Sequence, residues 1–466
     1  MMRTILVAAW VLVACLPLLS AGEKLLICNH SNGTAEIVDL TTLQSLAVRP
    51  VARQPNTAVV SHDRGYALVA AFGMQAAPNL DGSLTVIDLV SPGLPVLATL
   101  CQNSRVIPVD AAPNSKLAVA GRVNNQNQTE LVLIDLTTSP PSEFGSPIAV
   151  PGGRSVYGIQ ITPDGKNAYV LDFSAATLHV VDLTVSPPAF VKQVATNPSP
   201  IYMRLSNDGR RLVINNISST ALAGIWNTEA VIPTKITNLT VGNNAGSIPG
   251  FEPGNGFALV AAANSRDIHV LDTHATPPVV LGSLGPIDSD LRGITATTSG
   301  LYAWTTSRSS SFVHEIDLRT PSSPVLTNRS FKAATGPGNL VAFGEVHASG
   351  IPSLGTAYPV YVSVPADAGK VYILGAAFSP EPGFTIGGRT VPLNLDALFA
   401  VSQTVPAVFR NFAGTLNASG QAAAIVNIPA APALKGFSFY VAGVIIDASA
   451  PGMIGTITNA EHIVLQ

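Results

Sequence analysis

The feature that most constrains this chain is a short pattern that recurs at a nearly constant interval. Apolar residues followed by Asp, or once by Asn, stand at EIVDL (36–40), TVIDL (85–89), VLIDL (132–136), HVVDL (179–183), GIWNT (224–228), HVLDT (269–273) and HEIDL (314–318). Consecutive anchors, the Asp or Asn residues, are 49, 47, 47, 45, 45 and 45 positions apart. Such a period indicates an array of supersecondary units in which each unit packs against its neighbours.

The best-preserved copy indicates what one unit contains. GIQIT (158–162) leads through Pro163-Asp164-Gly165 into NAYVLD, then TLHVVDL, then a ragged FVKQVAT (190–196). An Asp-Gly step favours a tight hairpin turn, because a residue there adopts positive φ. Four short strands per unit, with no helical periodicity between them, predict the blade of an all-β propeller.

The two ends of the repeat predict how the ring closes. The first unit starts at its second strand, KLLIC (24–28), with no inner strand before it. An additional inner-type strand, NLVAFGEV (339–346), follows the last unit. We expect residues 340–346 to pair beside residues 25–28, which joins distant parts of the chain into one blade.

This order of strands and turns resembles the YVTN-repeat propellers of secreted bacterial proteins, and more distantly propellers of lactonase and quinoprotein amine dehydrogenase type. The resemblance covers residues 24–347 and is clearest over 158–185. It implies a seven-bladed β-propeller over residues 23–347. It implies little about activity, because such propellers serve many purposes.

A different pattern follows the repeats. A segment rich in Gly, Pro, Ser and Ala (348–359) is predicted to be a linker, and the short strands of 360–466 predict a small β-sandwich. VPLNLDALF (391–399), GTLNASGQAAAIVNIP (414–429) and GFSFYVAGVIIDASA (436–450) are similar to a C-terminal module of many otherwise different secreted bacterial proteins. Its reuse favours a role in sorting, anchoring or stability over catalysis.

Residues 1–22 are predicted to be a secretory signal peptide. They combine Arg3, an apolar core and the small residues Ser20, Ala21 and Gly22. We therefore expect an exported protein that is extracellular, periplasmic or associated with the cell envelope. Lipidation of Cys15 is the alternative form of processing. Cys28 and Cys101 then remain, and we expect two buried free thiols, with a disulfide as the alternative.

The charge balance excludes one class of partner. The chain has 25 Lys+Arg, 28 Asp+Glu and a net charge of −3, and only 11% of its residues are charged. Nucleic-acid binding requires a basic surface that displaces counterions, so we expect no nucleic-acid partner. The remaining apolar runs are too short to predict a transmembrane segment after signal removal.

The repeated anchors are predicted to be structural. A catalytic carboxylate is needed once or twice, whereas this one recurs at equivalent strand ends, where it can accept hydrogen bonds from a neighbouring turn. The anchor residues are Asp39, Asp88, Asp135, Asp182, Asn227, Asp272 and Asp317.

His179, His269 and His314 occupy one equivalent position, but on different blades. Strands lie about 4.8 Å apart, so equivalent residues of different third strands are too far apart to share a zinc ion. The chain also lacks a nucleophile elbow, a P-loop, a dinucleotide-binding fingerprint and a haem-attachment motif. We predict no catalytic residues, no metal and no cofactor.

One feature differs between the blades and points to binding. Arginines precede or begin several inner strands, and the outer-to-inner connections of a propeller open on one face around the central channel. Arginines at that mouth would bind an anionic ligand through forked hydrogen bonds, although each could instead brace a neighbouring blade. The candidate ligand-binding residues are Arg53, Arg105, Arg154, Arg292, Tyr157 and Tyr202.

The sequence therefore predicts a secreted propeller that recognises a small anionic ligand, a protein or a cell-surface partner at this mouth. A lactonase-type hydrolase that uses the channel is the alternative, suggested by the resemblance alone. A passive envelope component is a third interpretation.

Overall fold

The structure is a computed structural model that describes residues 22–76, 79–153 and 155–466. The predicted signal peptide, apart from Gly22, lies outside the described residues. The repeat region consists of strands β1 (Glu23–Asn29), β2 (Thr34–Asp39), β3 (Gln44–Pro50), β4 (Pro55–Val60), β5 (Tyr66–Ala71), β6 (Gly82–Asp88), β7 (Val96–Ala111), β8 (Leu117–Val123), β9 (Thr129–Asp135), β10 (Ser142–Ala149), β11 (Val156–Ile161), β12 (Asn167–Asp172), β13 (Thr177–Asp182), β14 (Ala189–Ala195), β15 (Pro200–Leu205), β16 (Arg211–Asn216), β17 (Leu222–Asn227), β18 (Thr234–Thr240), β19 (Gly250–Phe251), β20 (Ala258–Ala262), β21 (Asp267–Asp272), β22 (Val279–Leu284), β23 (Leu291–Ala296), β24 (Tyr302–Ser307), β25 (Phe312–Asp317), β26 (Val325–Lys332) and β27 (Pro337–Gly344).

The C-terminal region is also built from strands, with one short α-helix and three single-turn 3₁₀ helices. The 3₁₀ helices are Pro365–Asp367, Pro432–Leu434 and Pro451–Met453. The other elements are β28 (Val346–Ala348), β29 (Ala357–Ser363), β30 (Val371–Ala377), β31 (Phe384–Ile386), β32 (Arg389–Val391), α1 (Ala397–Thr404), β33 (Phe409–Arg410), β34 (Ala413–Thr415), β35 (Gln421–Asn427), β36 (Ser438–Ile446), β37 (Ile454–Ile457) and β38 (Glu461–Val464).

The repeats form antiparallel sheets of four strands. The sheet orders are β27-β1-β2-β3, β11-β12-β13-β14, β15-β16-β17-β18, β19-β20-β21-β22 and β23-β24-β25-β26. Strands β4 to β10 form one continuous sheet, because the first half of β7 pairs with β6 and its second half pairs with β8. The long strand therefore ends one four-stranded unit and begins the next.

Burial falls from the inside of each sheet to its outer edge. The second strands β5, β12 and β16 are buried at every position but the first, whereas the outer strands β3 and β14 are mostly exposed. Side chains on both faces of a second strand are covered, which is why these strands read as almost continuous apolar runs rather than as an alternation. Each sheet thus needs a neighbour on both faces.

The predicted pairing between the two ends of the repeat region is confirmed. β1 and β27 are antiparallel, with Lys24 opposite Phe343 and Ile27 opposite Leu340. Leu25, Ile27 and Leu340 are at most 2% exposed and belong to one hydrophobic cluster. The pairing buries these side chains and joins chain segments that are more than 300 positions apart.

The inner strands follow one another around a channel. Contacts run from β4 to β7, β11, β15, β19, β23 and β27, and from β27 back to β4. Side chains also bond across the sheet boundaries: Asp110 Oδ2 accepts from the Ile161 amide at 2.7 Å, and Gln160 Oε1 accepts from the Leu205 amide at 2.9 Å. We call the strands of this cycle the inner strands.

The turn that follows an inner strand uses the expected backbone geometry. Gly165 has φ +71°, and Asp164 Oδ1 accepts hydrogen bonds from the Thr162 hydroxyl at 2.6 Å and the Lys166 amide at 3.0 Å. Arg64 occupies the corresponding place in the turn after β4 and also has positive φ, at 59°.

The C-terminal region contains two sheets that share a core. Their orders are β28-β29-β35-β33 and β34-β30-β36-β37, with β38 also paired to β36, and β31 and β32 form a separate hairpin. Buried side chains of both sheets, including Val362 and Leu374, form one hydrophobic cluster. No helix in the described part of the chain is both long enough and apolar enough to cross a membrane.

Two details of this region differ from the prediction. The predicted linker, 348–359, connects β28 and β29, which pair with each other, and the segment that separates the repeats from this region is the single residue Glu345. α1 was not expected. Asp396 begins it by accepting a hydrogen bond from the Phe399 amide at 3.0 Å, as an N-cap residue does.

Cys28 and Cys101 are buried and unpaired. They lie in β1 and β7 and belong to different hydrophobic clusters. Burial raises the pKa of each thiol to about 12, so both thiols are protonated and unreactive at neutral pH.

Closure by β27 can be tested with Leu340→Ala. Removing a fully buried Leu side chain leaves a cavity beside β1, and we expect a loss of roughly 2–5 kcal/mol in the free energy of unfolding. Leu46→Ala on outer strand β3, where Leu46 is 49% exposed, is the matched control and should change stability by less than about 1 kcal/mol. Urea denaturation measures both, and equal effects would contradict a closing role for β27.

Candidate functional site

The amino ends of the inner strands form one mouth of the channel. Because adjacent strands are antiparallel, the residues that follow the second strands lie at the same end. Arg105 begins the inner half of β7, and Arg292 lies in β23. His30 follows β1 and Arg308 follows β24. We call this end the arginine mouth.

On one side of the mouth, Arg105 lies among aromatic rings. Its guanidinium carbon is 4.9 Å from the centre of the Phe72 ring, a cation–π distance. Arg105 Nε is buried and has no hydrogen-bond partner among residues 22–76, 79–153 and 155–466. Tyr157 lies close enough to Arg105 for the charge of Arg105 to affect its pKa. The ring centre of Tyr157 is 5.1 Å from that of Phe173.

Tyr202 spans the channel below the mouth. Its hydroxyl donates to Asn56 Oδ1 at 3.0 Å, which connects β15 with β4 on another side of the ring. Tyr202 is 8% exposed, and its ring centre is 6.4 Å from that of Tyr157. Burial raises the pKa of both phenols, so they remain protonated hydrogen-bond donors at neutral pH.

Two more cationic groups, Arg292 and Arg308, lie near Tyr202. Arg292 Nε forms a 2.5 Å ion pair with Asp290 Oδ1. Burial, and then repulsion by Arg292, lowers the pKa of Arg308. Arg308 Nε is buried and finds no hydrogen-bond partner within the described part of the chain. The charges of both arginines act to lower the pKa of Tyr202, against the larger effect of burial.

His30 completes this side of the mouth as a neutral group. Burial, and then the charges of Arg308 and Arg292, lowers its pKa to about 4. The imidazole is therefore uncharged at neutral pH and does not add to the positive charge of the two arginines.

The predicted binding residues do not all lie together in the structure. Arg105, Arg292, Tyr157 and Tyr202 belong to one connected group. Arg53 instead contacts the connection between β5 and β6, where its Nη1 is 3.9 Å from Met74 Sδ and its charge lowers the pKa of Asp81 after the larger effect of backbone hydrogen bonds. Arg154 lies outside the described residues.

Sequence reasoning missed Arg308, His30 and Asn56. Arg308 and His30 follow second strands, whose connections to the third strands open at the same end as the outer-to-inner connections. A search of those connections in every unit would have found both. Asn56 carries no sequence signal, because its role depends on the distance across the channel.

The repeated anchors stabilise turns. Each anchor oxygen accepts the amide of the residue two positions further on, at 2.7–2.9 Å. The three equivalent histidines each lie near a polar partner: Thr177 and Asp267 on their own strands, and Asp288 in the connection between β22 and β23. No group of three or more His, Cys, Asp or Glu among the residues that the structure describes could hold a metal ion.

A cavity of about 250 Å³ lies at the opposite end of the channel. The carboxyl ends of the inner strands form its walls, and residues 348–350 and 461–464 of the C-terminal region cover it. We call this cavity the chamber. Its acidic and basic lining residues are His62, Arg64, Asp110, Arg204, Asp208, Glu461 and His462.

Buried polar contacts hold the C-terminal strands against the ring at the chamber. Asn459 accepts from the Val346 amide at 2.8 Å and donates to the Thr298 hydroxyl at 2.9 Å. His462 Nδ1 is 2.6 Å from Glu252 Oε1, and the His462 amide donates to the Thr298 carbonyl at 3.0 Å. A side chain at Gly344 would collide with Asn459. The two parts of the chain therefore fit closely here.

Burial favours the neutral form of two glutamates in this contact. Burial raises the pKa of Glu23 to about 8, opposed by a hydrogen bond from the Thr298 amide and assisted by the charge of Glu461. Burial raises the pKa of Glu461 to about 7, opposed by Arg64. Ionisation of either carboxyl thus works against the packing of the C-terminal strands on the ring.

Comparison with known proteins supports the fold. No protein-family model and no curated protein matches this chain. A periplasmic gluconolactonase of Pseudomonas aeruginosa is similar in structure at 13% identity and TM-score 0.56, covering 69% of this chain and 98% of the other. A candidate 6-phosphogluconolactonase of Bacteroides fragilis has 14% identity and TM-score 0.55, with 69% and 98% coverage.

A protein of unknown function from Desulfotomaculum acetoxidans gives almost the same values: 14% identity, TM-score 0.55, and coverage of 68% of this chain and 98% of the other. These similarities indicate that the all-β chain has a β-propeller fold. At such low identity they show the fold alone.

The pKa of Glu23 leads to a testable dependence of stability on pH. In the unfolded chain this carboxyl ionises near its ordinary pKa, whereas in the folded protein it stays protonated up to about pH 8. The folded state thus binds more protons, and stability falls as pH rises. The urea midpoint should decrease between about pH 7 and about pH 8.5, the range in which the carboxyl of Glu23 ionises in the folded protein.

Glu23→Gln keeps an oxygen for the Thr298 amide and should reduce this decrease. Glu229→Gln, which alters an exposed side chain, should leave the pH dependence as in the wild type. A wild-type midpoint that is constant or rises over this range would contradict the assignment.

Proposed function

We propose that this chain is an exported, seven-bladed YVTN-like β-propeller with a C-terminal β-sandwich, and that it binds a small anionic ligand at the arginine mouth. The observation that carries the proposal is the placement of Arg105 beside Tyr157 and of Arg292 and Arg308 beside Tyr202, with the Nε groups of Arg105 and Arg308 lacking any hydrogen-bond partner in the described ranges.

The chemistry of these groups favours an oxyanion. A buried guanidinium donor without an acceptor is costly, and a carboxylate or phosphate would supply acceptors in the geometry that Arg matches best. Arg308 and Arg292 repel each other in the free protein, and a shared anion removes that repulsion. Tyr157 and Tyr202 would form the floor of the site.

The same geometry favours binding over hydrolysis. A general base works best when its pKa lies near the operating pH. His30 is the imidazole at this mouth, and its pKa of about 4 makes it a weak base. The arginines that attract an anion are the groups that depress the basicity of His30, so the two functions oppose each other here.

The proposal of export is based on the sequence of residues 1–22. The C-terminal region is proposed to sort, anchor or stabilise the protein. Its two sheets around one core fit a small sandwich. The fit of Asn459 against Gly344 and Thr298 supports a stabilising role. A protein or a surface component that presents carboxylates is an alternative partner for the mouth.

Binding can be tested by calorimetry of the full chain with succinate, D-gluconate and inorganic phosphate. We expect at least one of these anions to bind. Arg308→Gln and Arg292→Gln should each weaken that binding about tenfold or more, because each removes a charge-assisted hydrogen bond.

Arg410→Gln, at an exposed position on the C-terminal region, is the control and should bind as the wild type does. If both mouth variants bind every anion as tightly as the wild type, the site assignment is wrong. Failure of all three anions to bind the wild type would count equally against it.

The alternative function is a lactonase-type hydrolase, supported by the similarity to the Pseudomonas and Bacteroides proteins. It is distinguished by turnover. Incubation with aldonolactones, with and without added divalent cations, should give no hydrolysis above the buffer rate if the protein only binds. Turnover that is lost in Arg308→Gln but not in Arg410→Gln would favour the hydrolase.

A further inference from the structure

The chamber contains two arginines that the packing does not explain. Arg64 lies in the turn after β4, at a positive-φ position that the turns at Gly165 and Gly209 fill with glycine. Arg204 lies near the end of β15. Neither guanidinium donates a hydrogen bond to another described residue, and Arg64 Nε is buried.

Two of the carboxyl groups near these arginines are partly protonated near neutral pH. Glu461 is the carboxyl with the largest effect on Arg64, ahead of Asp63 and Glu23, and Asp110 acts on Arg204. Burial raises the pKa of Glu461 to about 7 and that of Asp110 to about 6, so protons neutralise part of this charge near neutral pH. His62 lies between the two cations and is neutral, because burial and both arginines lower its pKa to about 4.

Other polar atoms of the chamber also lack partners. Glu461 Oε1 accepts a hydrogen bond from the Ala348 amide at 3.3 Å, whereas Glu461 Oε2 is buried without a partner within the described part of the chain. The same is true of His462 Nε2, on the far side of the ring that bonds Glu252 through Nδ1. Buried polar atoms in folded proteins are almost always satisfied, so an occupant with polar atoms is expected.

We propose that the chamber binds a small oxyanion, a carboxylate or a phosphate, between Arg64 and Arg204 beneath the C-terminal strands. The cavity is several times larger than the ~30 Å³ occupied by one water molecule in the liquid, which is enough for a compact anion. Arginine donors and the partly protonated Glu461 carboxyl provide complementary contacts to its oxygens.

This site is separate from the arginine mouth. The mouth lies at the amino ends of the inner strands and the chamber at their carboxyl ends, with the Tyr202–Asn56 hydrogen bond between them. Because residues 348–350 and 461–464 form part of the chamber wall, an anion bound there contacts both the ring and the C-terminal region. Binding should therefore strengthen the attachment of these two parts.

Hydrogen exchange of the full chain provides a readout specific to the chamber. We expect inorganic phosphate or succinate, compared with sodium chloride at equal ionic strength, to slow exchange of backbone amides in 346–350 and 461–465. The anion that protects at the lower concentration identifies the phosphate or the carboxylate as the preferred group.

Arg204→Gln should weaken this protection about tenfold or more in anion concentration, whereas Arg204→Lys, which keeps the charge, should retain most of it. Arg210→Gln, in the turn that follows β15, and Arg292→Gln at the mouth are the controls and should behave as the wild type. Exchange that neither anion slows, or protection that is unchanged in Arg204→Gln, would overturn the proposal and leave the mouth site unaffected.

Discussion

The antiparallel pairing of β1 with β27 is the contact on which the rest of the structure depends. The other repeat sheets are each made from consecutive strands, whereas this sheet takes strands from both ends of the repeat region. Its main-chain hydrogen bonds and the burial of Leu25, Ile27 and Leu340 keep the inner strands in a closed cycle. A closed cycle fixes the distance across the channel, and that distance allows Tyr202 to reach Asn56.

The C-terminal strands are part of the same arrangement rather than a loosely tethered addition. Glu345 alone separates β27 from β28, and its carboxylate forms a 2.8 Å ion pair with Lys24 of β1. The strand that closes the ring therefore also fixes where the following sheet begins. This is why Asn459 and His462 can contact the end of the ring and cover the channel.

Much of the fold could be predicted from the sequence, because local patterns carry it. The anchor period, the Asp-Gly turns and the additional strand at 339–346 each depend on residues close together in the chain. α1 was missed because its signals, the Asp396 N-cap and one short apolar segment, stand among strand-like residues. The linker was predicted from Gly and Pro content, which does not reveal that β28 and β29 pair with each other.

The candidate site was less predictable. The residues Arg105, Arg292, Tyr157 and Tyr202 stand near strand starts, and this position predicts that they lie at one end of the channel. It does not predict the direction of each side chain. Arg53 turns towards Met74, and Arg308 was overlooked because it follows a second strand instead of preceding an inner strand. The chamber could not be predicted at all, because its walls come from every inner strand and from two segments more than 100 positions apart.

The hydrogen bond between Tyr202 and Asn56 has one more consequence. It links β15 directly to β4, and these strands are not neighbours in the ring, so it restrains the diameter of the ring independently of the contacts between adjacent sheets. A distortion that made the ring oval along this line would have to stretch or break the bond. The pair therefore gives the ring a resistance to deformation that packing between adjacent sheets does not supply.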